Sequence, residues 1–244
     1  MKNGSTLKLA TITLLLLTCT ATFASASMFE LEIIPLSKIM EDPTVYDSTM
    51  AYRKISVIGN LSEIGKQSAV LTEDDYSLKI DTTKSELFDG FEGGEQAMIT
   101  GEFMHDPIED DIMYPSYVLH YPIQDMGEVN ISSINSDPSY YNGKYVTVTG
   151  ELSSIDSSMS RYTLVLMDNS TEDHIKIYFY GSTDQEIGDV ARLSGLYNGG
   201  ILHSEKMGSD IDPLDISTII PGFSSLAGLI ALGAVAILLS QRQR

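Results

Sequence analysis

Leu36-Ser-Lys-Ile-Met-Glu-Asp-Pro-Thr-Val-Tyr46 lies over Ile131-Ser-Ser-Ile-Asn-Ser-Asp-Pro-Ser-Tyr-Tyr141 without a gap, matching Asp42-Pro43 to Asp137-Pro138 and Tyr46 to Tyr141. Further on, Ser56-Val-Ile-Gly-Asn-Leu-Ser-Glu-Ile64 lies over Thr147-Val-Thr-Gly-Glu-Leu-Ser-Ser-Ile155. Leu78-Lys79-Ile80 then matches Ile175-Lys176-Ile177, residues 94–101 match 188–195, and Val118-Leu119-His120 matches Ile201-Leu202-His203. Order is kept and the gaps fall in turn-rich stretches, so the chain is one module written twice. The domains follow at residues 28–124 and 125–208, with 209–220 as a linker.

Within each copy the pattern is that of strands. Tyr145-Val-Thr-Val-Thr-Gly-Glu-Leu152 alternates around β-branched residues, Tyr162-Thr-Leu-Val-Leu-Met167 runs into the turn at Asp168-Asn169, and His174-Ile-Lys-Ile-Tyr-Phe-Tyr180 alternates again. Residues 189–195 and 200–203 supply a fourth and a fifth strand. Before them, residues 131–138 read as a short helix stopped by Pro138, with Tyr140-Tyr141-Asn142-Gly143 as the turn into the first strand; the same helix in copy one runs from Leu36 to Met40. The expected architecture is therefore mostly β: two tandem five-stranded barrels, each preceded by a short helix.

A strand ending in Val-x-Gly-x-Leu, a hairpin closing on an Asp and a later strand ending in Ser-Gly or Thr-Gly resemble the OB-fold over residues 33–207. Gly59, Gly101, Gly150 and Gly195 stand where the strands of such a barrel bend or bulge. The resemblance implies a barrel and no particular chemistry, because one fold hosts many functions.

Both ends of the chain read as targeting segments. Lys2 and Lys8 precede an apolar run from Leu9 to Cys19, and Ala24-Ser25-Ala26 offers the small residues of a signal-peptidase site, so residues 1–26 are expected to be a cleaved signal peptide. Cleavage there removes Cys19 and leaves no thiol for disulfides. Residues 223–239 are uncharged and apolar, enough for a membrane-spanning helix at about 1.5 Å per residue. Arg242 and Arg244 behind them place the C-terminus in the cytoplasm and the domains outside. Pro221-Gly222-Phe223, the apolar span and the Arg-containing tail resemble the PGF-CTERM sorting signal of archaeal surface proteins over residues 221–244. That resemblance implies removal of the segment by an archaeosortase and a lipid-anchored form at the cell surface.

The chain carries 15 Lys and Arg against 34 Asp and Glu, a formal charge of -19. Lys2, Lys8, Arg242 and Arg244 fall outside residues 27–220, leaving 11 bases against 34 acids and a charge of -23. Such an excess opposes binding to a phosphate backbone, so no nucleic-acid partner is expected, although Tyr178, Phe179, Tyr180 and Tyr197 offer aromatic faces. It suits a soluble, self-repelling surface in a saline exterior. Asn60, Asn130 and Asn169 open Asn-x-Ser/Thr sequons available for glycosylation in an exported chain.

Chemistry-bearing motifs are sparse. Glu73-Asp74-Asp75 and the group Asp106, Glu109, Asp110 and Asp111 follow no calcium-loop template and read as solvated loop carboxylates. No nucleophile elbow, P-loop or zinc-protease motif occurs, His105 and His174 have no zinc-ligand spacing, and neither an enzyme nor a cofactor is expected. The expected function is a noncatalytic envelope protein whose tandem modules contact protein or glycan, two related faces giving avidity on a repeating partner. A second expectation rests on Leu87-Phe88, Thr100-Gly101-Glu102 and Val118-Leu119-His120-Tyr121-Pro122, which are similar to the closing strand and tail of the OB-fold haem chaperone of cytochrome c maturation. That similarity implies haem or metal handling through His120, with His203 as its partner in the other copy.

Intact mass spectrometry of the protein from its native membrane tests both ends at once. Loss of residues 1–26 and of everything after residue 220, with a lipid-sized addition, is the expected result; full-length mass contradicts it.

Overall fold

The structure, a computed structural model, describes residues 32–51 and 53–208. The signal peptide, Pro221, Gly222 and Phe223, the apolar span, Arg242 and Arg244 lie outside the described residues. Among the described residues no helix is long and apolar enough to cross a membrane.

Each repeat opens on a broken helix. In the first, α1 (Leu36–Glu41) is followed by α2 (Pro43–Tyr46) and α3 (Ser48–Ala51); in the second, α4 (Ile131–Ser136) is followed by α5 (Pro138–Tyr141). Pro138 therefore starts a second helical turn as well as ending the first. Asp137 before it is non-helical (φ -143°, ψ 72°), as a residue preceding proline prefers. The N–H that Pro138 lacks would have found no partner at that position. The Asp137 carboxylate accepts the Tyr140 backbone N–H at 3.2 Å and caps the new turn. Leu36 with Ile39, and Ile131 with Ile134, sit three apart on one helix face and are buried in the two cores.

The first repeat continues with β1 (Ile55–Leu61), β2 (Ser68–Glu73), β3 (Tyr76–Asp81), a single 3-10 turn (Ser85–Phe88), β4 (Gln96–Met104) and β5 (Ile112–His120). The strands close into a barrel in the order β1-β2-β3-β5-β4, with β3 and β5 parallel. In the second repeat β6 (Asp125–Glu128) precedes β7 (Lys144–Ser157), β8 (Tyr162–Met167), β9 (His174–Phe179), β10 (Val190–Asn198) and β11 (Ile201–Met207). The same circuit appears: β7-β8-β9-β11-β10, with β9 and β11 parallel, β10 pairing back onto β7, and β6 added on β7. This strand order makes both repeats OB-like. Alternation sets the inside: Ile175, Ile177 and Phe179 of β9 are buried, while His174, Lys176 and Tyr178 point outward.

Bulges fall at Thr100/Gly101 and at Ser194/Gly195. A Cβ on Gly101 would overlap the Tyr114 carbonyl oxygen, and one on Gly195 the His203 carbonyl oxygen. Those contacts, with the pairings Glu102↔Tyr114 and Leu196↔His203, make Tyr114 the counterpart of His203. The parallel pairs agree, since Ile80↔Met113 corresponds to Ile177↔Leu202. The sequence match of Val118-Leu119-His120 to Ile201-Leu202-His203 is thus corrected: His120 lies six residues beyond the position of His203 in the barrel. The cause is the β4–β5 connection, residues 105–111 in the first repeat but only Gly199-Gly200 in the second. An apolar-apolar-His triplet repeated along alternating strands is too short to locate that length difference.

The two barrels are docked. Met98, Tyr117 and Leu119 of the first form one buried cluster with Tyr145 and Leu196 of the second, with Ile33, Ile58, Tyr121 and Ile123 packed against it. Beside it, Asn142, 2 % exposed, sends its side-chain amide toward the carbonyls of Asp89 at 2.8 Å and Leu87 at 3.1 Å. Its oxygen accepts from Gly199 N at 2.9 Å and from Asn198 Nδ2 at 3.1 Å. Asn198 in turn accepts from Val118 N and donates to the Leu87 carbonyl, both at 3.1 Å. Apart from the Asn142–Asn198 contact itself, every partner is a backbone N–H or carbonyl, which fixes the orientation of both amides. Gly143 completes the seam: its N–H donates to the Tyr197 carbonyl, its carbonyl accepts from His120 N, and a Cβ there would run into the Phe91 ring.

Asn142→Ala strips this seam of its central partner and is expected to cost about 2–4 kcal/mol, read as a fall in Tm of roughly 5–15 °C. Asn135→Ala on the exposed face of α4 is expected to stay within about 0.5 kcal/mol. Equal melting of the two variants in a thermal unfolding experiment would contradict the role given to Asn142.

Candidate functional site

In an OB-like barrel the second and third strands and the loops flanking them form the face that most often meets a ligand. The two repeats treat that face differently. In the first, Ser68 and Val70 of β2 and Ser77 and Lys79 of β3 form the floor of an open groove of about 650 Å³. His105, Asp106, Pro107 and residues 109–111 form one wall and Met40 of α1 lies at the margin. Val70, Met104 and Ile108 are exposed on this side of the barrel, Ile108 almost completely.

The wall is shaped by its own acids. Asp106 accepts the N–H groups of Ile108 and Glu109, which hold its carboxyl below the usual range. Asp111 accepts from His105 Nδ1 at 2.7 Å and from Asp106 N at 3.1 Å, and Asp110 lies 3.8 Å from Lys79 Nζ. The carboxylates read from the sequence as solvated thus build the loop. Among the described residues no group of three or more His, Cys, Asp or Glu could hold a metal ion.

In the second repeat the corresponding floor is Thr163, Val165, His174 and Lys176, and the short Gly199-Gly200 turn raises no wall. The neighbouring strip is already covered. A row runs across the outer surface through Tyr145, Leu196, His203 and Tyr178, each paired to the next across β7, β10, β11 and β9. Tyr117 from the first barrel lies edge-on against His203, with ring centres 4.9 Å apart. One copy thus uses part of its outer surface to hold the other, so the two related faces differ in what they leave open.

Around that contact cations gather. Arg161 stacks 3.7 Å above the Tyr178 ring, Lys176 lies 5.1 Å from the same ring, and Lys54 lies 5.9 Å from the Tyr117 ring. Tyr180 stacks near His203 and reaches its Nδ1 at 3.3 Å, and Tyr117 shares a hydroxyl hydrogen bond with Tyr180. Burial, then the positive charge of Arg161 and Lys54, push the His203 ring down to about 4. Burial raises Tyr117, Tyr145 and Tyr197.

His120 and His203, expected as partners, occupy different surroundings. His120 is buried, stacked on Phe91 with ring centres 4.2 Å apart, and bonded through Nδ1 to Glu95 at 3.1 Å. It ends β5, where its N–H donates to the Gly143 carbonyl of the second barrel. Asn60 on β1, Asn130 at the start of α4 and Asn169 in the β8–β9 turn are all exposed. Of the four aromatics, Phe179 and Tyr197 belong to the core, and Tyr178 and Tyr180 to the outer cluster. Arg161 and Tyr117 carried no motif; the signal that could have found Arg161 is its place immediately before β8, two residues ahead of Thr163, which pairs with Tyr178.

His203 gives the fold a pH dependence with a definite sign. A ring neutral down to about 4 in the folded state binds its proton near 6.5 when unfolded, so its contribution is complete above about pH 6.5 and lost between there and pH 4. The loss approaches about 3 kcal/mol. Urea midpoints measured from pH 7 to pH 4 are expected to fall steeply in this window and more shallowly in His203→Phe; parallel curves would contradict it.

No protein-family model and no curated protein sequence matches the chain. Among solved structures it is similar to a chain assigned as an aspartyl-tRNA synthetase of Leishmania major Friedlin, at 13% identity and TM-score 0.29 over 36% of this chain and 21% of that one. This chain thus spans about a fifth of the length of that structure. It is also similar to the S. pombe Stn1–Ten1 complex, at 12% identity and TM-score 0.23, over 41% of this chain and 78% of that one. A third is the hypothetical protein YgiW of E. coli, at 16% identity and TM-score 0.24, over 30% of this chain and 83% of that one.

Proposed function

We propose that this chain is a noncatalytic binding protein, a docked pair of OB-like modules displayed on the outer face of an archaeal cell. The observation that carries the reading is the groove on the first barrel. It lies on the strand pair that OB-like barrels offer to ligands, it is open, and docking of the second barrel leaves it uncovered. Its lining joins an apolar strip, Val70 and Met40, to carboxylates of residues 105–111, a surface suited to contact with protein or glycan. Display outside the cell rests on the sequence alone: residues 1–26, Pro221-Gly222-Phe223 and the apolar span before Arg242 and Arg244. Signal peptidase and archaeosortase are the processing partners this implies. The haem-carrier reading draws no support from His120 and His203 as a matched pair, since both are buried and they stand six residues apart in barrel register.

Mild crosslinking on intact cells, followed by recovery of the protein, tests the groove. Envelope protein or glycoprotein is expected in the product, and Val70→Glu with Ile108→Glu is expected to reduce its yield severalfold while changing stability by no more than about 1 kcal/mol, as exposed positions allow. Recovery of no envelope component, or recovery that these changes do not alter, would overturn the proposal.

A further inference from the structure

Three unusual features compete for a function: the acidic wall of the groove, the buried His120 pair and the cationic cluster around Tyr178. The wall acids are consumed by their own loop, and His120 is sealed by Phe91 and Glu95. The cationic cluster is left over. Lys54, Arg161 and Lys176 come within reach of two neighbouring tyrosines in a chain of formal charge -19. Among the described residues none of the three forms an ion pair with a carboxylate, although Lys79 and Arg192 do.

We infer that this patch, built from Lys54 and Tyr117 of the first barrel and Arg161, Lys176, Tyr178 and Tyr180 of the second, binds a carboxylated sugar. An arginine stacked flat on an aromatic ring keeps its donor fork free in the plane of the guanidinium, already oriented for a carboxylate to meet it with two parallel hydrogen bonds. Arg161 covers one face of Tyr178 and Tyr180 stacks near His203, so the half-buried rings border the guanidinium with their edges, an apolar rim against which a sugar rests its C–H groups while its carboxylate meets Arg161. Lys176 and Lys54 supply further positive charge without fixed geometry, and the Glu205 carboxylate of β11 lies close enough to raise the Tyr117 and Tyr145 hydroxyls. A single sugar carboxylate adds little to the repulsion from the acidic surface, whereas a polyphosphate strand would meet it along its whole length. The site is composite and exists only while the barrels are docked, because Lys54 and Tyr117 come from the other module.

This inference rests on the proposed binding function and names a ligand class for it. Its test is separate from the groove. Isothermal titration of the full chain with trigalacturonate, against maltotriose as the neutral probe, is expected to show saturable binding of the acid alone. Arg161→Gln is expected to weaken it by about tenfold or more, and Arg161→Lys to restore only part. Lys66→Gln, at the corresponding place two residues before Ser68 in the first repeat, where Ser68 pairs with Asp81 as Thr163 pairs with Tyr178, is expected to leave the affinity unchanged. A second readout excludes a merely structural effect: trigalacturonate is expected to raise the pH at which the His203 ring protonates in an NMR titration, by offsetting the charge of Arg161 and Lys54. Equal binding of the neutral probe, an Arg161→Gln affinity equal to the wild type, or an unmoved His203 titration would overturn the inference. Tight binding of a dT12 oligonucleotide lost in Arg161→Gln would also overturn it, in favour of single-stranded nucleic acid. Groove-dependent crosslinking to envelope components survives any of these failures, so the two proposals fall independently.

Discussion

The side chain of Asn142 holds the two halves of this protein in one register. Its amide hydrogens lie against carbonyls of the first barrel and its oxygen collects N–H groups of the second, all within a seam from which water is excluded. Buried amides of this kind are costly unless every partner is present, so they admit one relative placement of the modules and penalise others. The apolar cluster of Met98, Tyr117, Leu119, Tyr145 and Leu196 supplies the driving force, and the amides supply the geometry. Everything proposed for the cationic patch depends on that placement, because the patch draws residues from both sides of the seam.

The seam joins unlike surfaces of like modules. The first barrel presents Ile58, Met98, Tyr117 and Leu119; by the strand registers their counterparts in the second are Thr149, Arg192, Lys206 and Gly208. The second barrel receives them on Tyr145, Leu196 and His203, whose counterparts in the first are Lys54, Glu102 and Tyr114. A head-to-tail contact of this kind would continue indefinitely if both ends stayed apolar. Here the counterpart positions are polar, so neither set repeats the apolar seam. Arg192 and Thr149 also bond to Glu128 and so hold that end in a hydrated, charged state.

Much of the barrel was legible because its strands repeat with period two and its bends require glycine. Gly59 with Gly150, and Gly101 with Gly195, fall at matching close approaches, and Leu78-Lys79-Ile80 aligns with Ile175-Lys176-Ile177 in space as in sequence. The same periodicity misled the comparison of His120 with His203, since a match of three residues in an alternating strand survives a slip that only cross-strand pairing can detect. The site was harder to read. Nothing marks Asn142 in the sequence beyond its place in a Tyr-Asn-Gly turn, where a local role is the ordinary expectation. Its function arises from residues 53–56 positions away, and Arg161 becomes notable only when Tyr178 is seen beneath it. Long-range polar contacts between modules leave no periodic trace.

Rigid docking is the property from which the asymmetry of the two faces and the composite patch both follow. Backbone 15N relaxation on the described two-barrel region of the full chain measures it directly. A single rotational correlation time shared by β1–β5 and β7–β11 is the expected result, preserved across ordinary salt because the seam is hydrogen-bonded and apolar. Two independent correlation times, each that of a single barrel, would show modules tethered like beads and would contradict the seam and the composite patch.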